Sequence, residues 1–70
     1  MNSQVQRVYD YLMTGKSLDR ITALREIGVL ELSARICQLE SEGIEIEKDW
    51  VNKVNRWGEK YRLRTYTMGR

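Results

Sequence analysis

The chain has 70 residues, of which 41% are hydrophobic and 31% charged, with five glycines and no proline. A chain this short supports one small hydrophobic core, so we expect a single domain over 1–70. The composition is typical of a folded globular domain and excludes a low-complexity segment. No apolar run approaches the roughly 20 residues of a bilayer span, and the N-terminus lacks a signal-peptide pattern. We therefore expect a cytoplasmic protein with no membrane partner.

Two residue types limit the chemistry. The single cysteine, Cys37, excludes an internal disulfide, and the absence of histidine removes the usual companion ligand of a zinc site. Histidine is also the most frequent general base, so no Ser-His or Cys-His nucleophilic pair is available. No glycine-rich phosphate loop or cofactor motif is present. We therefore expect that the protein is not an enzyme and holds neither a metal nor a cofactor.

The charge is unevenly distributed along the chain. The formal net charge is only +2, which does not by itself identify a nucleic-acid-binding protein. From Lys53 onward, however, there are six lysines and arginines and one glutamate. The basic character therefore belongs to the C-terminal third of the chain.

Apolar residues with helical spacing predict three helices in the first part of the chain. The first covers 4–14, where apolar residues recur at intervals of three and four positions. The second covers 20–27, with Asp19 as its N-cap, and Gly28 ends it. The third begins at 30 or 31 and ends at 42.

Beyond the third helix the apolar period changes from 3.6 to 2, which predicts a two-stranded hairpin. Its first strand begins near 44, its turn is the Asn-Arg-Trp-Gly segment at 55–58, and its second strand covers 59–68. The alternation in the second strand changes parity at 64–65, which predicts a β-bulge or a strand end there. Leu18 is a candidate for a minimal third strand.

The same periods predict which side chains are buried. The expected core consists of Tyr9, Leu12, Ile21, Leu24, Leu32, Ile36, Leu39, Ile46, Trp50 and Leu63. Cys37 lies beside the apolar face of the third helix and is expected to be a small packing residue.

Two short helices joined by a tight turn form a helix-turn-helix, and several stretches carry a more specific resemblance. They are Gly15-Lys16-Ser17, Ala23-Leu24-Arg25-Glu26-Ile27-Gly28, Ala34-Arg35-Ile36-Cys37-Gln38-Leu39, Glu42-Gly43-Ile44-Glu45-Ile46, Trp50 and Asn55-Arg56-Trp57-Gly58. In these residues the chain resembles small helix-turn-helix domains of phages and prophages over nearly its whole length. The resemblance implies an α+β winged helix, with three helices followed by a two-stranded β-hairpin wing. The helix-turn-helix would occupy about 19–42 and the wing about 44–68, and duplex DNA would be the partner.

In such a domain the second helix of the motif enters the major groove and reads base edges. Here that helix offers Ser33, Arg35 and Gln38, since arginine pairs with guanine and glutamine with adenine. Arg35 has a second interpretation, in which its stem lies along the core and its guanidinium pairs with Glu31 or with a carboxylate on another element. Ser33 and Gln38 also have an alternative interpretation, in which they are polar surface residues in contact with solvent only. These alternatives stay open at this point.

Three carboxylates on or beside the same helix argue against simple DNA recognition. They belong to Glu31, Glu40 and Glu42. Carboxylates repel phosphates unless they are directed away from the DNA. The third helix alone therefore does not establish DNA binding.

The wing supplies a stronger electrostatic argument. Its candidate nucleic-acid-binding residues are Lys53, Arg56, Lys60, Arg62 and Arg64. Cations on two strands and their turn are suited to a phosphate backbone, and one at the tip is suited to a minor groove. The alternative is that they form the solvated face of a hairpin and protect an edge strand from aggregation.

Trp57 is a candidate protein-binding residue, because tryptophan and arginine are enriched among interface hot spots. The leading hypothesis is a phage-type winged-helix protein that binds duplex DNA as a transcriptional regulator or recombination accessory factor. The alternative is a phage-encoded inhibitor of a host defence system, of the anti-CRISPR type, that binds a host protein with the same fold. Either protein would act in the host cytoplasm. A homodimer is expected, since one small domain makes few base contacts.

Overall fold

The computed structural model describes residues 3–68, which form three helices and three strands. In chain order they are α1 (Ser3–Met13), β1 (Leu18–Asp19), α2 (Arg20–Ile27), α3 (Leu32–Ser41), β2 (Ile46–Val54) and β3 (Lys60–Met68). The predicted α+β fold is confirmed, and Leu18 does form a short third strand. Within residues 3–68, none of the helices is both long and apolar enough to cross a membrane.

One apolar face fixes α1 to the rest of the domain. Val5, Val8 and Leu12 are buried, and their spacing of three and four residues places them on one side of the helix. Arg7 has a different role, because its Nε donates a hydrogen bond of 2.8 Å to the carbonyl oxygen of Ile27. That carbonyl is at the end of α2, where helical carbonyls lack partners within the helix. Arg7 thus stabilises the junction between α1 and α2.

Short-range hydrogen bonds define both ends of α2. The side chain of Asp19 accepts a hydrogen bond of 2.7 Å from the backbone N–H of Thr22, as expected of an N-cap. At the other end Gly28 adopts the left-handed conformation with φ of 66°. The N–H of Val29 then donates to the carbonyl of Ala23 at 3.0 Å. This closure reverses the chain and buries Val29 completely, which fixes the turn between α2 and α3.

Replacing Gly28 with alanine is expected to destabilise the domain by about 1 kcal/mol, because a Cβ disfavours the left-handed conformation. Nothing lies within 4 Å of the position that this Cβ would occupy, so the loss would report backbone strain alone. Urea denaturation followed by circular dichroism measures the effect. Gly28→Asn is the matched control and should lose less, since asparagine tolerates this conformation. Equal losses in the two variants would contradict this account of the turn.

The three strands form one antiparallel sheet in the order β1-β3-β2. Leu18 of β1 lies opposite Tyr66 of β3. The pairing of β2 with β3 is continuous over all nine residues of each strand, so the predicted bulge or strand end at 64–65 is wrong. The apolar residues of β3 change parity because the two faces of the sheet are covered at different places along the strand. β3 buries Leu63 on one face of the sheet and Tyr66 on the other.

The two faces of the β2–β3 hairpin are named here by residue number, because side chains alternate along each strand and directly paired residues share a face. The even face carries the even-numbered residues of β2 and β3, and the odd face carries the odd-numbered ones. Near β1 the even face belongs to the core, since Tyr66 is buried there with Leu18. Farther out, the hairpin extends beyond the helices as the wing.

The core lies between the three helices and the β1 end of the sheet. Its buried residues are Val5, Val8, Leu12, Leu18, Ala23, Val29, Leu32, Ile36, Leu39 and Tyr66. Tyr9 and Ile46, which were predicted to be buried, pack against this cluster while partly exposed. Leu63 is also buried, as predicted, but lies outside the cluster.

Four packing predictions are wrong. Ile21 and Leu24 are 38% and 51% exposed, because the short α2 turns Ala23 inward. Trp50 is 50% exposed, because its position on β2 lies beyond the part of the sheet that the core covers. Cys37 is exposed as well, since the buried stripe of α3 passes through its neighbour Ile36.

Candidate nucleic-acid interface

A groove runs between the start of α3 and β3. Its lining residues are Arg20, Leu30, Glu31, Leu32, Ser33, Arg64 and Tyr66, and its volume is about 310 Å³. The groove brings together Ser33 from the predicted recognition helix and Arg64 from the wing. It also includes Arg20, which the sequence interpretation did not select. Arg20 directly follows the N-cap Asp19, and its position in the first turn of the helix-turn-helix was the only available signal.

Trp50 organises the arginines of the wing. The guanidinium carbon of Arg62 lies 4.7 Å from the centre of the Trp50 ring, and that of Arg64 lies 4.9 Å from it. Arg64 is the residue directly opposite Trp50 in the strand register. Cation–π contacts of this kind restrict the guanidinium groups without neutralising their charge. Trp50 therefore holds two arginines on the even face, where they remain exposed.

Opposite charges are separated across the hairpin. Lys60, Arg62 and Arg64 belong to the even face of β3, whereas Glu47 and Asp49 belong to the odd face of β2. The even-numbered positions of β2 and β3 include no carboxylate. The hairpin therefore presents a positive surface on the side of the groove and a mixed surface on the other side.

Lys53 does not join this positive surface. It belongs to the odd face, where it pairs with Tyr61 in the register. There it lines a shallow pocket with Arg25 and Leu63. Lys53 also lines a second pocket, together with Lys60 and Arg62 of the wing. A role for Lys53 in DNA contact stays a prediction.

Asn55 builds the tip of the wing. Its Oδ1 accepts hydrogen bonds of 3.0 Å from the backbone N–H groups of both Trp57 and Glu59. Gly58 completes the turn with φ of 82°, which only glycine adopts at little cost. The turn presents Arg56 stacked on the Trp57 ring at 4.7 Å, and Trp57 is 71% exposed. The predicted turn at 55–58 is thus confirmed, and both tip candidates face solvent.

The exposed side of α3 is uncharged. With about 100° between successive residues, Ser33, Cys37 and Ser41 share one stripe, and Gln38 lies beside it; all four are exposed. Glu40 is at the margin of this stripe and pairs with Lys48 of β2 at 3.1 Å. The carboxylate of Glu40 is therefore compensated by a lysine, whereas Glu31 and Glu42, beside the two ends of α3, are exposed.

Arg35 lies on the inner side of α3. It is partly buried between the buried positions Leu32 and Leu39. Within residues 3–68 its Nε is buried without a hydrogen-bond partner, and no ion pair with Glu31 is formed. Arg35 does not line the groove that holds Ser33 and Arg64. Its contact with DNA stays a prediction that this placement does not favour.

In the part of the chain that the structure describes, no group of three or more acidic or cysteine side chains is arranged to hold a metal ion. The site consists instead of a groove, an uncharged helix face and an arginine-rich wing. A family model for the winged helix-turn-helix domain matches residues 3–70, and the chain belongs to this family. Membership indicates DNA binding. No curated protein and no solved structure matches the chain.

Proposed function

We propose that this domain binds duplex DNA through one continuous surface, the basic face, made of the groove at the start of α3 and the even face of the wing. The cations of the basic face are Arg20, Lys60, Arg62 and Arg64, with Arg56 at the wing tip. The exposed stripe of α3 enters the major groove, where Ser33 and Gln38 meet base edges. The wing follows the phosphate backbone.

The separation of charge across the hairpin carries this proposal. Duplex DNA presents a negative charge about every 1.7 Å along its axis and attracts a surface on which cations are not compensated by nearby carboxylates. β2 and β3 contribute no carboxylate to the even face, whereas the odd face carries Glu47 and Asp49. Glu31 lines the adjoining groove with Arg20 and Arg64, and these three residues leave the groove with a net positive charge. The two arginines held by Trp50 are also partly ordered before binding, which lowers the entropic cost of contacting phosphates.

In the cell we propose that the domain acts as a transcriptional regulator or a recombination accessory factor. A regulator requires discrimination between sequences, which base-edge contacts from α3 would supply at about 1–3 kcal/mol for each good pair. An accessory factor requires mainly backbone contacts, which the wing would supply. Selection of binding sites from a random duplex pool measures this discrimination, and a domain that enriches no motif would lack what a regulator requires.

The binding test is fluorescence anisotropy of a labelled generic duplex at about 50 and about 200 mM salt. Five phosphate contacts for each bound domain predict a slope of about −4.5 for log K against log salt, so a fourfold rise in salt weakens binding about 500-fold. Arg25→Ala is the control, because Arg25 lies beside the odd face with Lys53. This variant should retain both the affinity and the slope.

Absence of binding at the lower salt concentration would reject the proposal. It would favour the second candidate, an inhibitor of a host defence protein, for which the exposed Trp57 stacked on Arg56 is the supporting observation. Aromatic and arginine side chains of this kind anchor protein interfaces. Capture of a defence protein by the immobilised domain would then be the next experiment.

A further inference from the structure

The β2 strand leaves one long edge of the sheet open. In the order β1-β3-β2 it is an outer strand, and within residues 3–68 its only strand partner is β3. The open edge is nine residues long, whereas β1 at the other side has only two. An open edge of this length is a template for another strand.

The hydrogen bonds show which backbone groups face outward. The N–H of Trp50 donates to Oδ1 of Asp49 at 2.9 Å, so it does not point toward β3. At the wing turn the N–H of Asn55 donates to the carbonyl of Glu59 at 3.0 Å, so the odd-numbered residue there faces β3. Since these groups alternate along an antiparallel strand, the even-numbered residues of β2 direct their N–H and C=O groups to the open edge.

The β2 sequence is complementary to itself when reversed. An antiparallel copy that overlaps all nine residues places Trp50 opposite its own equivalent. The same register places Ile46 opposite Val54, and Glu47 opposite Lys53. Each of these last two pairs occurs twice by symmetry, and opposite charges or apolar side chains at facing positions stabilise a strand pair. In this register no charged residue of β2 lies directly opposite a residue of the same charge.

The neighbouring registers of the β2–β2 pair do not combine the apolar pair with the opposite-charge pair. Directly opposed side chains must share a face, so the partner can shift only in steps that preserve the parity of the pairing. One such shift brings Asp49 opposite Asp49, which is repulsive. The shift in the other direction places Asp49 opposite Lys53, which is attractive, but it removes the Ile46–Val54 pair and places Ile46 opposite Arg56, outside the strand. The register with complete overlap is therefore the one with the best side-chain pairs.

We propose that the domain self-associates by antiparallel pairing of β2 with β2 of a second copy, forming a continuous six-stranded sheet. This covers Val54 and Trp50, which are 62% and 50% exposed in the single chain. The two-fold axis passes through the sheet at Trp50, so both even faces point to the same side. Asp49 releases the Trp50 N–H when the partner strand binds. A strand pair is a small interface, so the dimer is weak and depends on concentration.

Sedimentation equilibrium without DNA tests the proposal over about 10 µM to 1 mM protein, a range suited to small interfaces. A monomer–dimer equilibrium is expected. Glu47→Lys and Lys53→Glu should each weaken it about tenfold, because two attractive pairs become two like-charge pairs. The double variant E47K/K53E restores attraction and should return to within about threefold of the original constant. Lys16→Glu, an equal change of charge at an exposed position outside the sheet, should have no effect.

A backbone variant tests the strand pairing itself. Asn52→Pro removes an N–H that faces the open edge and leaves the ladder with β3 complete, so it should abolish the dimer. Circular dichroism confirms that each variant is folded. A monomer at every concentration, a double variant no better than the single ones, or a dimer that persists in folded N52P would each overturn the proposal. Because no DNA is present, these outcomes are independent of the proposed function.

Discussion

Replacing Arg62 and Arg64 together with alanine is expected to weaken binding to a generic duplex on the order of 100-fold at low salt. Both guanidinium groups lie on the even face, against the Trp50 ring. Loss of two phosphate contacts should also reduce the salt slope by about 1.8, from about −4.5 to about −2.7. Anisotropy titrations over a series of salt concentrations measure both quantities.

The slope separates this explanation from a general loss of structure. Partial unfolding lowers the apparent affinity by a constant factor. It leaves the slope of log K against log salt unchanged, because the molecules that remain folded make the same phosphate contacts. Lys16→Ala combined with Arg25→Ala is the matched control, since it removes two exposed cations that are not on the even face. If the two double variants lost affinity and slope equally, net charge rather than the basic face would govern binding, and the proposed orientation of DNA would be wrong.

Leu39→Ala is expected to cost about 2–5 kcal/mol of folding free energy, which is the largest stability effect that we predict. Leu39 is completely buried on α3 and belongs to the core that joins this helix to α1 and the sheet. A domain of this size has little stability to spare, so such a loss populates the unfolded state. Urea denaturation monitored by circular dichroism measures this loss as a lower midpoint urea concentration with an unchanged m-value, the dependence of the unfolding free energy on urea.

Leu24→Ala provides the comparison, because it deletes the same atoms from a side chain that is 51% exposed. It should cost less than about 1 kcal/mol, since truncation at an exposed site leaves no cavity. The sequence pattern assigned both leucines to the core, so this pair of variants also tests the correction made by the structure. A large loss in Leu24→Ala would mean that another part of the molecule covers this side chain in solution.

Local chemistry made much of the fold predictable. Asp19 and Gly28 each act within a few residues of their own position, and both ends of α2 are where these residues indicate. The turn at the wing tip follows in the same way from Asn55 and Gly58. These predictions were confirmed because the interactions involved join residues that are close together in the sequence.

Predictions that depended on how far the core extends were less successful. Alternation along β2 marks Trp50 as facing the same side as Ile46, which is correct, but it does not indicate where the helices stop covering that side. Trp50 lies beyond that limit and stacks with arginines. Similarly, the stripe of Ile21 and Leu24 has helical spacing, yet the small Ala23 occupies the buried position because it permits close helix packing.

In the candidate site, too, local features were predictable from the sequence, whereas features that depend on tertiary structure were not. The wing cations were evident from the charge distribution, but their separation into two faces depends on the register of β2 with β3. That register places Lys53 on the odd face, whereas Lys60, Arg62 and Arg64 are on the even face. Arg20 joined the site only through the folding of α2 against β3. The ion pair of Glu40 with Lys48, eight residues away on a different element, was likewise not evident from the sequence.

The pairing of Leu18 with Tyr66 has a consequence for how the protein is made. The two residues are 48 positions apart and are buried in the same core. During synthesis the three helices leave the ribosome first, while the apolar surface that Tyr66 covers is still open. Contacts between distant positions form late in folding. The nascent helical segment therefore exposes apolar surface until Tyr66 has left the ribosome, and surface of this kind is what chaperones bind.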